Sequence, residues 1–288
     1  MGIHLDRAKA HFGRDTTGLL EGGRYSLVHT RSLEFDDLRP YVAGDDVRDI
    51  EWKASARSGH VLIKRFVSEK HHKILVVADA GRNTSASTPT GELKRDVAAN
   101  LVGAMGLVTL RRSDEIGMVF GDRRGSVDIR LRRGETHIEY MLHRFKHHAT
   151  TSPAQSDVGT QLDWVARHYR HRLLIFVVSD ELDVDARLHD LLTRLTGRHD
   201  VLWAMVSDAP AAGSADDGNG YDVGDGGFVL SDGLGAEVID AYRRAEVERR
   251  EQLSEFMTTH GVPHAMVRGS LAIRNAMLSM TGTYARAG

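Results

Sequence analysis

The sequence predicts an α/β protein: a doubly wound, mainly parallel sheet with helices on both faces, and a small N-terminal β-rich extension. Three observations predict it. From residue 73 on, short apolar runs alternate with longer amphipathic stretches, the pattern of strand–helix–strand units. Three of those runs, "ILVVAD", "LLIFVVSD" and "LWAMVSD", are apolar throughout, as strands covered on both faces must be, and each ends on an acid: Asp79, Asp180 and Asp208. Residues 24–66 differ in texture, with apolar and polar residues alternating as in half-exposed strands.

The elements follow in order. Residues 1–22 read as a short amphipathic helix and a loop. "GRYSLVHTRSLEF" and "GHVLIKRF" read as strands, separated by the turn-rich, doubly charged "DDLRPYVAGDDVRDIEWKASARSG". "KILVVAD" is a strand and "GELKRDVAANLVGAMGLVTLRR" a helix with Leu93, Val97, Leu101, Met105 and Val108 on one stripe. "EIGMVFGD" and "GSVDIRLRRG" form a strand pair with a tight turn at Asp122–Gly125. Two helices, a strand, a helix and a strand carry the chain to Asp208. A low-complexity loop, "APAAGSADDGNG", leads to a short hairpin, a long charged helix near 235–260, the strand "HAMVRG" and a final helix. The expected organisation is an extension over 1–70 and an α/β domain over 71–288.

Composition sets limits on function. The chain has 288 residues, 41% hydrophobic and 27% charged, enough to bury a sizeable core. A net charge of -2 and a pI of about 6.8 give no bulk attraction to nucleic acid or anionic membrane. Cysteine is absent from the sequence, which removes disulfides, thiolate catalysis and cysteine zinc sites. The N-terminus carries charge from Asp6 and has no apolar core of a signal peptide. The longest apolar run, around "LLIFVV", is strand-sized. These features lead us to expect a cytoplasmic protein without direct membrane insertion.

The strand-end acids carry the first hint of a site. In a parallel sheet they share one edge, where ligands bind at the point of strand-order reversal. One such acid reads as a helix cap. Several together repel one another, which a hard cation would relieve. "ADAGRNTSAS" after the first strand is therefore a metal site, a phosphate site or a capped turn. There is no phosphate-binding P-loop, no dinucleotide fingerprint and no nucleophile elbow. A phosphatase with an aspartyl nucleophile needs a second acid two residues after Asp79, where Gly81 stands. The 16 histidines include His168 with His171 and the adjacent pairs His71–His72 and His147–His148; their spacing makes them surface residues.

Residues 34–57, "EFDDLRPYVAGDDVRDIEWKASAR", resemble the signature of the domain of unknown function 58 family. Glu34, Phe35, Leu38, Arg39, Tyr41, Gly44, Asp45, Asp46, Arg48, Ile50, Trp52, Lys53, Ser55, Ala56 and Arg57 carry the match, and "SDVGTQLDW" and "VVSDELD" continue it. The resemblance implies a von Willebrand factor A-like fold and association with MoxR-type AAA+ ATPases. It also implies a metal-ion-dependent adhesion site, built in such domains from Asp-x-Ser-x-Ser, a later hydroxyl and a further Asp. Carried across, the first acid is Asp79, the serine positions are Gly81 and Asn83, the later hydroxyl is Ser156 with Thr160 as a substitute, and the last acid is Asp180. With both serines lost the site is degenerate, so we expect either no cofactor or weakly bound magnesium. Restoring the serines, Gly81→Ser with Asn83→Ser, is expected to create magnesium dependence.

The signature has its own physics. Arg39, Tyr41, Arg48, Trp52, Lys53 and Arg57 set aromatic and basic side chains in one stretch, the composition of a protein-binding patch. The alternative is that Trp52 pins the extension to the main sheet. Acids balance the bases there, which argues against nucleic acid. The expected function is a non-enzymatic interaction module, an adaptor for a MoxR-type ATPase; the alternative is a metal-dependent hydrolase or phosphotransferase at the acidic edge.

Overall fold

A computed structural model of the chain describes residues 2–12, 34–42, 47, 50–67, 72–210, 220–223, 226–229 and 235–287. Gly44, Asp45, Asp46, Arg48, His71 and most of the low-complexity loop, named above, lie outside the described residues. The chain divides into two compact units, residues 28–71 and the remainder.

The larger unit is built on a six-stranded sheet. Its strands are β3 (Lys73–Asp79), β4 (Glu115–Asp122), β5 (Gly125–Arg132), β6 (Leu174–Asp180), β7 (Asp200–Val206) and β10 (His264–Val267). Numbered within the sheet in chain order, they lie 3-2-1-4-5-6, and only the hairpin partner β5 runs antiparallel. The order reverses between β3 and β6, which pair directly with Val77 opposite Val177. The expected parallel sheet through residues 73–79, 172–179 and 201–207 is therefore present.

Residue alternation along β3 explains why helices cover both faces. Ile74, Val76 and Ala78 join one core with Val97, Leu101 and Met105 of α3 (Lys94–Arg112), Leu142 and Phe145 of α4 (Glu135–Thr151) and Met277 of α8 (Ile273–Ala287). Leu75 and Val77 point the other way. They meet Leu162 of α5 (Val158–His168), Leu192 of α6 (Ala186–Thr196), Trp203 of β7 and Met257 of α7 (Ala236–Thr259). Helix α3 is buried on nearly every side because it is covered by two further helices as well as the sheet. A Cβ at Gly103 would lie 2.6 Å from Ala8 Cβ, and one at Gly106 would lie 2.6 Å from Ile138. Those glycines let α1 (Ile3–Phe12) and α4 approach closely.

Helix α1 corrects the expected boundary. Leu5 and Ala8 are buried in the core with α3, and Leu5 N–H donates to Glu139 on α4 at 2.7 Å. The N-terminal helix belongs to the α/β unit rather than to the extension. His72 is a second correction: it is buried, its backbone N–H donating to Asp114 at 2.6 Å, so it is not a surface histidine.

In the smaller unit, β1 (Glu34–Pro40) pairs antiparallel with β2 (Leu62–Val67). Residues 24–33 of the first expected strand are outside the described set, and β1 extends past it to Pro40. Between them lies a helix that the turn-rich reading missed, α2 (Trp52–Ser58), closed by Gly59 at φ 72°. "WKASARS" contains no helix breaker, but the turn residues on both sides hid it. Strands β8 (Gly220–Tyr221) and β9 (Phe228–Val229) form a small hairpin. Among the described residues no helix is long and apolar enough to cross a membrane.

Phe176 is fully buried in the strand beside the reversal point. Truncation there opens a cavity between two packed layers, so Phe176→Ala should cost about 3–5 kcal/mol in urea unfolding. A change below about 1 kcal/mol would show a core looser than described.

Candidate functional site

Strands β3 and β6 flank the reversal point, so their C-terminal acids are placed together by topology. Asp79 ends β3 and is 4% exposed. Asp180 ends β6, and Asp208 follows the next strand, β7. Between the latter two lies a residue that was not singled out from the sequence. Lys94, the first residue of α3, has a side chain only 2% exposed. Its Nζ lies 2.7 Å from Asp180 Oδ1 and 2.5 Å from Asp208 Oδ1. A cation at a helix N-terminus opposes the helix dipole. The signal in the sequence was thus a lysine standing where an acid or cap is favoured. Burial works against the charged form of Lys94, but Asp180 and Asp208 outweigh it and raise its pKa.

Among the described residues, Asp79 has no ion pair of its own. Burial first, then the charge of Asp180, raise its pKa to about 8, against the opposing Gly81 N–H, Ser156 and Lys94. The Gly81 N–H donates to Asp79 Oδ1 at 2.9 Å. Beyond it, Arg82–Ser85 form a 3₁₀ turn. Asn83 Oδ1 is buried there without a hydrogen-bond partner among the described residues. The neighbouring hydroxyls are engaged elsewhere: Thr84 donates to Gly81 O at 2.7 Å, and Ser85 accepts from Arg95 at 3.3 Å.

The opposite wall is the segment leading into α5. Ser156 Oγ is buried without a well-aligned partner, although it lies close enough to Asp79 to favour the carboxylate. The segment is held from three sides. Arg82 N–H donates to Ala154 O at 2.7 Å, Arg123 N–H to Gln155 O at 3.0 Å, and Ser152 Oγ to Asp122 at 2.6 Å. Asp122, at the end of β4, also accepts from Arg124 and contacts His148 at 3.2 Å. Burial opposes its ionisation, but Arg124 and Ser152 hold its pKa well below the usual carboxylate range. The hydroxyl of Ser152 points to the acid rather than to His148, so this trio is a clamp and not a nucleophile relay.

Asp79, Asn83, Ser156 and Asp180 thus line one cavity of about 290 Å³. Thr160 is not a substitute ligand, because its hydroxyl donates to Asp157 at 2.7 Å and Asp157 is paired with Arg187. Glu181, Asp185 and Arg187, which the sequence reading did not single out, complete the wall. The donor set does not fit a resident divalent cation. An ammonium already lies between two of the acids, and Gly81 supplies no ligand. Among the described residues no group of three or more His, Asp or Glu is placed to hold one.

Gly81 also overturns the expected serine restoration. A Cβ there would lie 2.5 Å from Ser156 N and 2.6 Å from Ser156 Cα. Those are backbone atoms of a pinned segment, so Gly81→Ser displaces the opposite wall instead of adding a ligand.

The other candidate residues lie on the smaller unit. Trp52 begins α2 and is 67% exposed, so most of the indole is in solvent. Tyr41, Lys53 and Arg57 are also exposed, Arg57 donating to Lys53 O at 3.1 Å, while Arg39 is half-buried in β1. Arg48 lies outside the described residues.

The family described as "Protein of unknown function DUF58" matches residues 37–219. An uncharacterized protein of Mycobacterium tuberculosis is 23% identical over 256 residues, covering 87% of this chain and 79% of its own. A solved aerotolerance-related membrane protein from Bacteroides fragilis is similar at a TM-score of 0.46 and 13% identity, covering 73% of this chain and 98% of its own. A von Willebrand factor type A structure from Catenulispora acidiphila is similar at a TM-score of 0.44 and 11% identity, covering 77% and 44%.

The Asp79 environment predicts a pH dependence. Its ordinary pKa of 3.8 applies to the unfolded chain, and about 8 to the folded one. Between those values the folded state holds a proton that the unfolded state has lost. Stability contributed by this proton therefore falls as pH rises from about 4 to about 8. Asp79→Asn should flatten that slope and be the more stable form at the alkaline end in urea titrations. An unchanged slope would place the Asp79 titration elsewhere.

Proposed function

The chain belongs to the DUF58 family, and from that premise we propose a non-enzymatic protein–protein interaction module that docks its partner at the C-terminal rim of the sheet. The rim is a degenerate metal-ion-dependent adhesion site. The observation that carries this reading is the Lys94 ammonium between Asp180 and Asp208, at 2.7 and 2.5 Å. In an intact site of this kind a cation gathers the strand-end acids and leaves a position open to a partner. Here a covalently attached cation gathers two of them, and the third acid is relieved by holding its proton at neutral pH. The rim keeps its shape without a cofactor, and any bound magnesium is weak. By family analogy, the partner is a MoxR-type AAA+ ATPase and the setting cytoplasmic. The exposed Trp52, with Tyr41, Lys53 and Arg57, offers that partner a second contact of aromatic and basic residues.

The reading is tested by taking the internal cation away. Wild-type protein should show little thermal shift with millimolar magnesium or calcium. Lys94→Met should lose stability, because two carboxylates are left without a counter-charge, and should regain part of it on adding either ion. The wild type should capture the partner ATPase equally with magnesium and with chelator. A large magnesium shift in the wild type, or capture that chelator abolishes, would contradict the metal-independent site.

A further inference from the structure

We propose that His189 and His260 form a binding site for a divalent transition-metal ion of the zinc, nickel or copper kind, which fastens α6 to the end of α7. Neither residue lines the rim cavity, so the site is independent of docking there. Chemistry fixes the state of His260. Its Nδ1 lies 2.8 Å from Phe256 O, and a carbonyl can only accept, so Nδ1 carries the proton and Nε2 presents a lone pair. That lone pair faces His189 Nδ1 at 3.0 Å. The two rings stand at 80° with their centroids 4.9 Å apart. One comes from α6 and the other from the residue that closes α7, 71 positions away, so the fold rather than local sequence brings them together.

Three features suit this pair to a metal. A histidine that ligates through one nitrogen usually donates its other N–H to a carbonyl or carboxylate, which holds the ring in place. The Phe256 carbonyl does this for His260. The spacing is the second feature. Two imidazole nitrogens on one tetrahedral zinc, with bonds of about 2.0–2.1 Å, stand about 3.3 Å apart. The pair has to open only slightly from 3.0 Å to admit the ion. Access is the third: His189 is exposed and His260 half-buried, while the Phe256 ring, 4.3 Å from the His260 ring, covers one side. Without an ion, His189 Nδ1–H donates to His260 Nε2. With one, the His189 proton moves to its own Nε2 through solvent, both lone pairs meet the metal, and no net proton is lost. Imidazole nitrogen favours zinc, nickel and copper over magnesium and calcium, which take oxygen. Among the described residues no third His, Asp or Glu joins the pair, so water completes the coordination and the ion exchanges. The ion acts on α7 where that helix is already anchored, because its buried residues are Leu253 and Met257, both near the His260 end.

Isothermal titration calorimetry of the full chain, stripped of metal with chelator and dialysed, tests this with zinc, nickel and magnesium chlorides as probes. Zinc and nickel should each bind saturably, and magnesium should not. His189→Gln and His260→Gln should each weaken zinc binding by at least about tenfold, since even the outer partners of a ligand are worth about that. His143 and His147 are the control: both are exposed, one helical turn apart on α4, and replacing them together by glutamine should leave zinc affinity unchanged. Imidazole ¹⁵N spectra give a readout on the wild type alone, free of any folding defect in a variant. His260 should hold its proton on Nδ1 with and without zinc, while zinc should shift His260 Nε2 and His189 Nδ1. No binding of zinc or nickel would reduce the pair to a hydrogen bond and overturn the site. Zinc binding that survives both single variants, binding lost with the α4 pair instead, or a His260 proton found on Nε2 would overturn the assignment equally.

Discussion

A buried ammonium held between two carboxylates is the constraint on which the rim of this protein depends. Burying the Lys94 ammonium is expensive, and it is sustained here because Asp180, itself mostly buried, and the half-exposed Asp208 both face it. Lys94 meets that condition because it starts the helix that leaves β3, while Asp180 ends β6 and Asp208 lies just past the end of β7, both on the other side of the reversal point. The contact ties α3 to β6 and to the segment after β7. It also bears on Asp79, whose pKa burial first and then the charge of Asp180 push up to about 8, with Lys94 opposing the shift.

The remaining walls follow from close backbone approach. Gly81 has no side chain, so the segment at Gln155 and Ser156 passes directly over it. Backbone bonds from Arg82 and Arg123, and the Asp122–Ser152 contact, then fix that segment. Asn83 and Ser156 line the cavity on backbone that these bonds hold. The same packing explains why a residue that looks like a missing ligand in the sequence is in fact a steric requirement.

Much of this was legible in the sequence. The apolar runs ending at Asp79, Asp180 and Asp208 defined the sheet because a strand covered on both faces tolerates little else. The resemblance in residues 34–57 then named Asn83 and Ser156, which do reach the same cavity as Asp79 and Asp180. Lys94 was hidden because its role depends on where a long side chain lands after the chain has crossed the sheet. Glu181 was hidden for a similar reason: its partners Arg249 and Arg250 lie 68 and 69 positions away. Helix α1 looked like part of the extension because its contacts are with α3 and α4, far along the chain. Helix α2 was masked by the turn residues around it.

The central claim is that Lys94 is a permanent, desolvated cation at the rim. It is tested most directly by observing its side-chain nitrogen by ¹⁵N nuclear magnetic resonance, assigned by comparison with a Lys94→Arg variant. A hydrogen-bonded ammonium resonance, slow to exchange with water at neutral pH and unmoved by millimolar magnesium or by chelator, is the predicted result. A resonance that exchanges as freely as a surface lysine, or that shifts as magnesium is added, would contradict it.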